Sequence, residues 1–287
     1  MNTYKKLALT FLSLGTAYAS AAFAENSTNF IEIVIDQTSS MSATRSSTGN
    51  SRFADAISSA VKNLQLVNDR AKVKNTTLLV GVSTFDSSQG FKQRVDFVTP
   101  EQALDTLQQI ALESPRASTP LADALCSAAD ELYQESVPSG KYSRYIYFYT
   151  DLNENQSKGS CSGSDWQSKV IQKFFSGFPH PIMNVTMFTT KDNLTTPNYS
   201  LRELNGMLSR RHTTNNNDAS IIEAAREFTW STQLNGDVQN EVLFFTYLAN
   251  YTNGSAVGYS DESADPIIDS SNTSGSGCDW MYPSCKE

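Results

Sequence analysis

The chain has 287 residues, 22 Lys and Arg against 30 Asp and Glu, and a formal charge of −8. That acidity argues against nucleic acid as a partner, because phosphate binding needs a basic face. Nine Pro and 14 Gly are too few for a collagenous or Pro/Gly-rich disordered chain, and an apolar fraction of 39% is enough for a core.

In chain order, residues 1–24 read as a cleaved export signal of bacterial type. Lys5 and Lys6 are basic, Leu7 to Ala22 is mostly apolar, and Ala22-Phe23-Ala24 reads as the cleavage site. No later stretch approaches the roughly 20 apolar residues of a membrane span. The expected address is periplasm, cell surface or medium. Phe30 to Ile35 is a nearly continuous apolar run, suited to a strand covered on both faces. From Arg52 to Val67 apolar residues recur at three and four, as in an amphipathic helix. Leu78 to Phe85 reads as a strand and Gly90 to Val98 as a short edge strand.

Thr99-Pro100 opens a helix to about Glu113, with Thr99 as cap and Pro100 at its first position. Thr119-Pro120 is read the same way, opening a helix to about Gln134. Tyr145 to Tyr149 is a strand, Asp165 to Phe175 a helix, and Ile182 to Phe188 a strand. Two short helices are expected at 201–208 and 219–228, and a longer one from Glu241 to Asn250. Asp261 to Gly277 is rich in Asp, Ser and Gly and reads as a flexible linker. Alternating strands and helices indicate an α/β fold, a doubly wound, mostly parallel sheet with helices on both faces. The expected units are a signal peptide at 1–24, one domain at 25–260 with an insertion at 189–239, and a linker with a Cys loop at 261–287.

The four cysteines are Cys126, Cys161, Cys278 and Cys285. An even number in an exported chain favours disulfides. Three connectivities are open; the pairing expected is Cys126–Cys161 with Cys278–Cys285, the second closing a small C-terminal loop.

Chemistry concentrates in three segments at strand or helix boundaries: Asp36-Gln37-Thr38-Ser39-Ser40, Ser118-Thr119-Pro120, and Thr150-Asp151-Leu152. In an open parallel sheet the loops at the strands' carboxyl ends converge, and ligands bind there. Asp36, Thr38, Ser40, Thr119 and Asp151 would then share one pocket. Their hard oxygens suit Mg²⁺, Mn²⁺ or Ca²⁺, and two facing carboxylates need a cation to offset their repulsion. With only His180 and His212, and no Gly-x-Ser-x-Gly elbow, no hydrolase triad is expected, and the chain is not read as an enzyme.

These segments resemble the metal-ion-dependent adhesion site of von Willebrand factor A domains, whose pattern is Asp-x-Ser-x-Ser, a distant Thr and a later Asp. The matching positions are Asp36, Thr38 and Ser40, then Thr119, then Asp151. Met41, the run Pro120 to Leu125, and Asn155 match the flanks. The resemblance implies direct ligation by Thr38 and Ser40, a switchable Thr119, and Asp36 and Asp151 acting largely through water. It also implies a bound Mg²⁺, with Mn²⁺ or Ca²⁺ open, whose free position takes an acidic side chain of a partner protein. An assembly subunit of a pilus or envelope machine, with the metal only stabilising the fold, is the alternative. The chain departs from the family in having Thr38 for Ser, and Ser39, Ala117, Ser118 and Leu152 where Gly is common. Without Gly, positive φ becomes costly.

Overall fold

The computed structural model describes residues 27–137, 141–195 and 238–269. The signal segment, most of the 189–239 stretch with its two expected helices, and the Cys278–Cys285 pairing lie outside the described residues.

The described chain runs β1 (Thr28–Asp36), a 3₁₀ turn (Ser39–Ser42), α1 (Arg52–Lys74), β2 (Thr77–Asp86) and β3 (Gly90–Val98). It continues through α2 (Pro100–Ile110), α3 (Leu121–Gln134), β4 (Tyr142–Thr150), α4 (Trp166–Phe174) and β5 (Ile182–Thr189). The short α5 (Lys191–Leu194), then α6 (Val238–Tyr251), β6 (Ser255–Ser260) and β7 (Pro266–Asp269) complete it. The strands form one sheet in the order β3-β2-β1-β4-β5-β6-β7. The five inner strands are parallel; β3 and β7 pair antiparallel at the edges.

Strand alternation sorts the core into two layers. Ile31, Ile33, Ile35, Tyr145, Tyr147 and Tyr149 pack on α1 and α2. Phe30, Val34, Ile146 and Phe148 point the other way, onto α3, α4 and α6. Burial on both faces explains why β1 and β4 read as continuous apolar runs. Local signals set the helix ends. Ser51 Oγ accepts from the Ala54 N–H at 3.1 Å to start α1, and Asn75, with φ 53°, ends it. That helix outruns its expected end at Val67 because Ala71 is still buried on its inner face. At α2, Pro100 takes the first position and the Thr99 N–H donates to Gln102 Oε1 at 3.3 Å, half of a capping box.

Three expectations are corrected. Thr119 does not cap α3: Pro120 has φ −89° and ψ 62°, and the helix begins at Leu121. Its first N–H groups are met instead by Glu154 Oε2, which accepts from Ala122 N at 2.7 Å, and Ser157 Oγ, which accepts from Asp123 N at 3.1 Å. Residues 261–269 are not linker, since β7 pairs with β6 and buries Ile268. The β6 strand has no counterpart in the sequence reading, because Ser-Ala-Val-Gly-Tyr-Ser holds one small and one β-branched apolar residue and a glycine. The Cys126–Cys161 disulfide is present, with Cα atoms 6.5 Å apart. Among the described residues, no helix is long and apolar enough to cross a membrane.

Candidate metal centre

β1 runs to β2 on one side, whereas β4 joins β1 on the other. The strand order therefore reverses between β1 and β4, and a crevice opens at their carboxyl ends. Asp36 is the last residue of β1, and Asp151 directly follows β4. Both are buried, as are Thr38 and Thr119.

Hydrogen bonds tie four of the five expected residues into one chain. Asp36 Oδ1 accepts from the Thr38 N–H at 2.9 Å. Thr38 Oγ1 and Ser40 Oγ are 3.2 Å apart. The Ser40 hydroxyl donates to Asp151 Oδ1 at 2.9 Å. Thr119 joins through its backbone. Its N–H donates to Asn155 Oδ1 at 3.1 Å, and its carbonyl accepts from the Asn155 and Gln156 N–H groups. The neighbouring Ala117 carbonyl accepts from both the N–H and the hydroxyl of Ser39, so this loop is fixed against the first.

The electrostatics are strained. Burial, and then the charge of Asp151, pushes the Asp36 carboxyl up to about 8. Burial also raises Asp151, against the opposing pull of Arg52. Three residues outside the five expected for the site bear on this charge. The Thr150 hydroxyl donates to Asp36 Oδ2 at 2.7 Å. Arg52 Nη1 donates to Asp151 Oδ2 at 3.0 Å, while its Nε and Nη2 fork onto Asp261 at 2.9 and 2.5 Å. A signal for Arg52 existed: a cation in a helix's first turn opposes the helix dipole and implies a nearby carboxylate. No comparable local signal marked Asp261, which is 209 residues away in sequence.

The loop before Thr119 and the loop after Asp151 carry the geometry that the missing glycines foreshadowed. Ala117, Leu152 and Asn153 have φ of 59°, 74° and 78°, in a region costing about 1–2 kcal/mol for Ala or Leu and less for Asn. Ser39 is not among the residues with positive φ. Several contacts hold the loop after Asp151. Thr150 Oγ1 accepts from the Leu152 N–H at 2.8 Å. Glu241 of α6 accepts from the Asn153 N–H, and from the Glu154 N–H at 2.8 Å. Asp123 accepts from the Lys158 and Gly159 N–H groups, and the Cys126–Cys161 bridge follows. Burial raises Glu241 to about 7, with Glu154 and Asp151 adding to the rise.

The donor set fits a small, hard divalent cation. It offers hydroxyl and carboxylate oxygens and no thiolate or imidazole. Among the described residues no three His, Cys, Asp or Glu converge on a point, so hydroxyls have to complete any shell. Two carboxylates, Asp151 and Asp261, share the one guanidinium of Arg52, and Asp36 is met by Thr38 and Thr150 rather than by a cation.

No protein-family model and no curated protein matches the chain. Among solved structures it is similar to the VWA domain of SpRpn10, at 11% identity and TM-score 0.40, covering 57% of this chain and 75% of that one. It is also similar to a von Willebrand factor type A protein from Catenulispora acidiphila, at 15% identity and TM-score 0.40, covering 71% and 42%. A third is the PilB minor pilin from Streptococcus sanguinis, at 12% identity and TM-score 0.41, covering 73% and 61%.

Proposed function

We propose that this chain is an exported binding protein that takes up a divalent cation, Mg²⁺ first among the candidates, at Asp36, Thr38, Ser40, Thr119 and Asp151. The observation that carries the reading is the pair of buried carboxylates, Asp36 and Asp151, at the point where the strand order reverses, joined through the Thr38 N–H and the contact of the Thr38 and Ser40 hydroxyls. In this reading the hydroxyls of Thr38, Ser40 and Thr119 serve as neutral ligands, and the two Asp balance the charge. A cation held by few charged ligands supplies Lewis acidity for an incoming carboxylate, so the partner is a protein presenting an acidic side chain. The chain's own part is binding rather than catalysis.

Titration calorimetry of the mature, oxidised protein with Mg²⁺ and Mn²⁺ tests this. Saturable binding is expected, with loss in Asp36→Ala and Thr119→Ala. Binding that persists in both variants would refute the site.

One observation favours a second reading. Arg52 already gives Asp151 an internal counter-charge, which lets the fold stand without metal. In that reading the chain is a scaffold or assembly subunit of an exported complex, and its partner stays bound in chelator.

A further inference from the structure

Leu152 and Asn153 are consecutive residues in the left-handed region, where residues bearing a Cβ are disfavoured. Successive backbone N–H groups in such a turn form a concave anion-binding nest. Here the anion is internal. Glu241, in the first turn of α6 and 5% exposed, spans the nest, one oxygen accepting from the Asn153 N–H and the other from the Glu154 N–H.

A further carboxylate close to Asp151 and Glu154 is electrostatically unfavourable, so its place there needs a reason. The loop downstream gives one. Glu154 accepts from Ala122 N at the start of α3, and Asn155 accepts from Thr119 N. The segment that Glu241 grips therefore sets both Asp151, on one side, and the backbone of Thr119, on the other.

We propose that Glu241 is the positioning residue of the Asp151 loop, holding it in a conformation its non-glycine residues would otherwise leave, and so setting the placement of Asp151 and Thr119. The consequence for cation affinity rests on the metal-binding reading above. The hold on the loop does not.

The test uses the mature, oxidised protein as wild type, Glu241→Gln, and Glu241→Gln with Asn153→Gly. The amide is isosteric but offers one acceptor where the carboxylate offers two. Asn153 is exposed, and glycine there removes that residue's share of the conformational penalty, leaving the share of Leu152. NMR-detected hydrogen exchange reads the Asn153 and Glu154 amides, and calorimetry reads Mn²⁺ affinity. In Glu241→Gln both amides are expected to exchange at least about tenfold faster. Mn²⁺ affinity is expected to fall about tenfold, in the range seen when the support of a metal site is removed. Adding Asn153→Gly is expected to return the affinity to within about threefold of wild type.

Unchanged exchange in Glu241→Gln overturns the proposal. Faster exchange with unchanged Mn²⁺ affinity overturns the link to the site. Weakened affinity in Glu241→Gln that Asn153→Gly fails to rescue and that Glu241→Asp does not share means that Glu241 acts through its charge, which also overturns it. If the wild type binds no Mn²⁺, the metal-binding reading falls on its own, and the exchange rates alone decide whether Glu241 holds the loop. Glu241→Asp keeps the charge and shortens the reach. It is expected to loosen the same two amides, and it replaces Glu241→Gln should that variant not fold.

Discussion

Glu32 sits in the middle of β1, fully buried, with the Ser83 hydroxyl donating to Oε1 at 2.6 Å and no hydrogen-bond partner for Oε2 among the described residues. The neighbouring strand makes room for it: a Cβ on Gly81 would lie 2.0 Å from Oε2. Burial raises this carboxyl from its ordinary 4.5 to about 8, so it is protonated in the folded protein at neutral pH. The unfolded chain would release that proton. Because the folded value lies above the unfolded one, the stability linked to Glu32 is fully present below about pH 4.5 and is lost as pH rises towards 8. At 1.36 kcal/mol per pH unit, the loss reaches about 3 kcal/mol at pH 7 and about 4–5 kcal/mol above pH 8.

Glu32→Gln removes the ionisation and keeps the shape. Urea unfolding of both proteins at pH 5, 6, 7 and 8 is the assay, with an unchanged m-value required for the comparison. The stability of Glu32→Gln relative to wild type should rise by about 2–3 kcal/mol between pH 5 and pH 7. A difference that stays flat across this range would mean that Glu32 is already ionised in the folded protein, and the reasoning from its burial would fail.

Three further outcomes are expected. Reducing Cys126–Cys161, or replacing both with Ser, opens a link between residues 35 apart. In the chain-entropy account that lowers stability by about 3–4 kcal/mol, read as a drop in the urea midpoint. Arg45→Met removes the guanidinium that lies over the Phe188 and Tyr259 rings, strips Asp55 of its cation and leaves the Ser260 and Ser263 carbonyls without this donor. A loss of about 3 kcal/mol is expected; a change below about 1 kcal/mol would show that Thr48 and Asn50 satisfy Asp55 alone. Ala117→Gly relieves a φ of 59° and should stabilise by about 1 kcal/mol in thermal unfolding. Destabilisation there would mean that the Cβ contributes packing worth more than the strain.

The sequence alone determined the elements whose physics is local. Period-3.6 and continuous apolar patterns marked α1, β1 and β4, because one needs a single buried face and the others need two. The Pro100 start of α2 was legible because proline and the capping box act within one turn. That Asp36, Thr38, Ser40 and Asp151 lie together was legible because β1 and β4 end at one edge of a parallel sheet. The missing glycines also foretold strain at Ala117 and Leu152, since only backbone sterics are involved.

The rest depended on which residues the sheet brings together. Arg52 meets Asp261, and Glu241 meets Asn153, across 209 and 88 positions of chain. No local pattern carries such pairings. Glu32 fits only because the β1–β2 register sets it against Gly81. Likewise β6 is a strand by pairing rather than by pattern, because its small and polar residues extend where the β5 edge offers hydrogen bonds, and the four-residue β7 is too short to stand out before it pairs with β6. The local chain fixed what could form a site; the strand order and register decided which charges face it, because electrostatic and hydrogen-bond partners are chosen by distance in space and not along the chain.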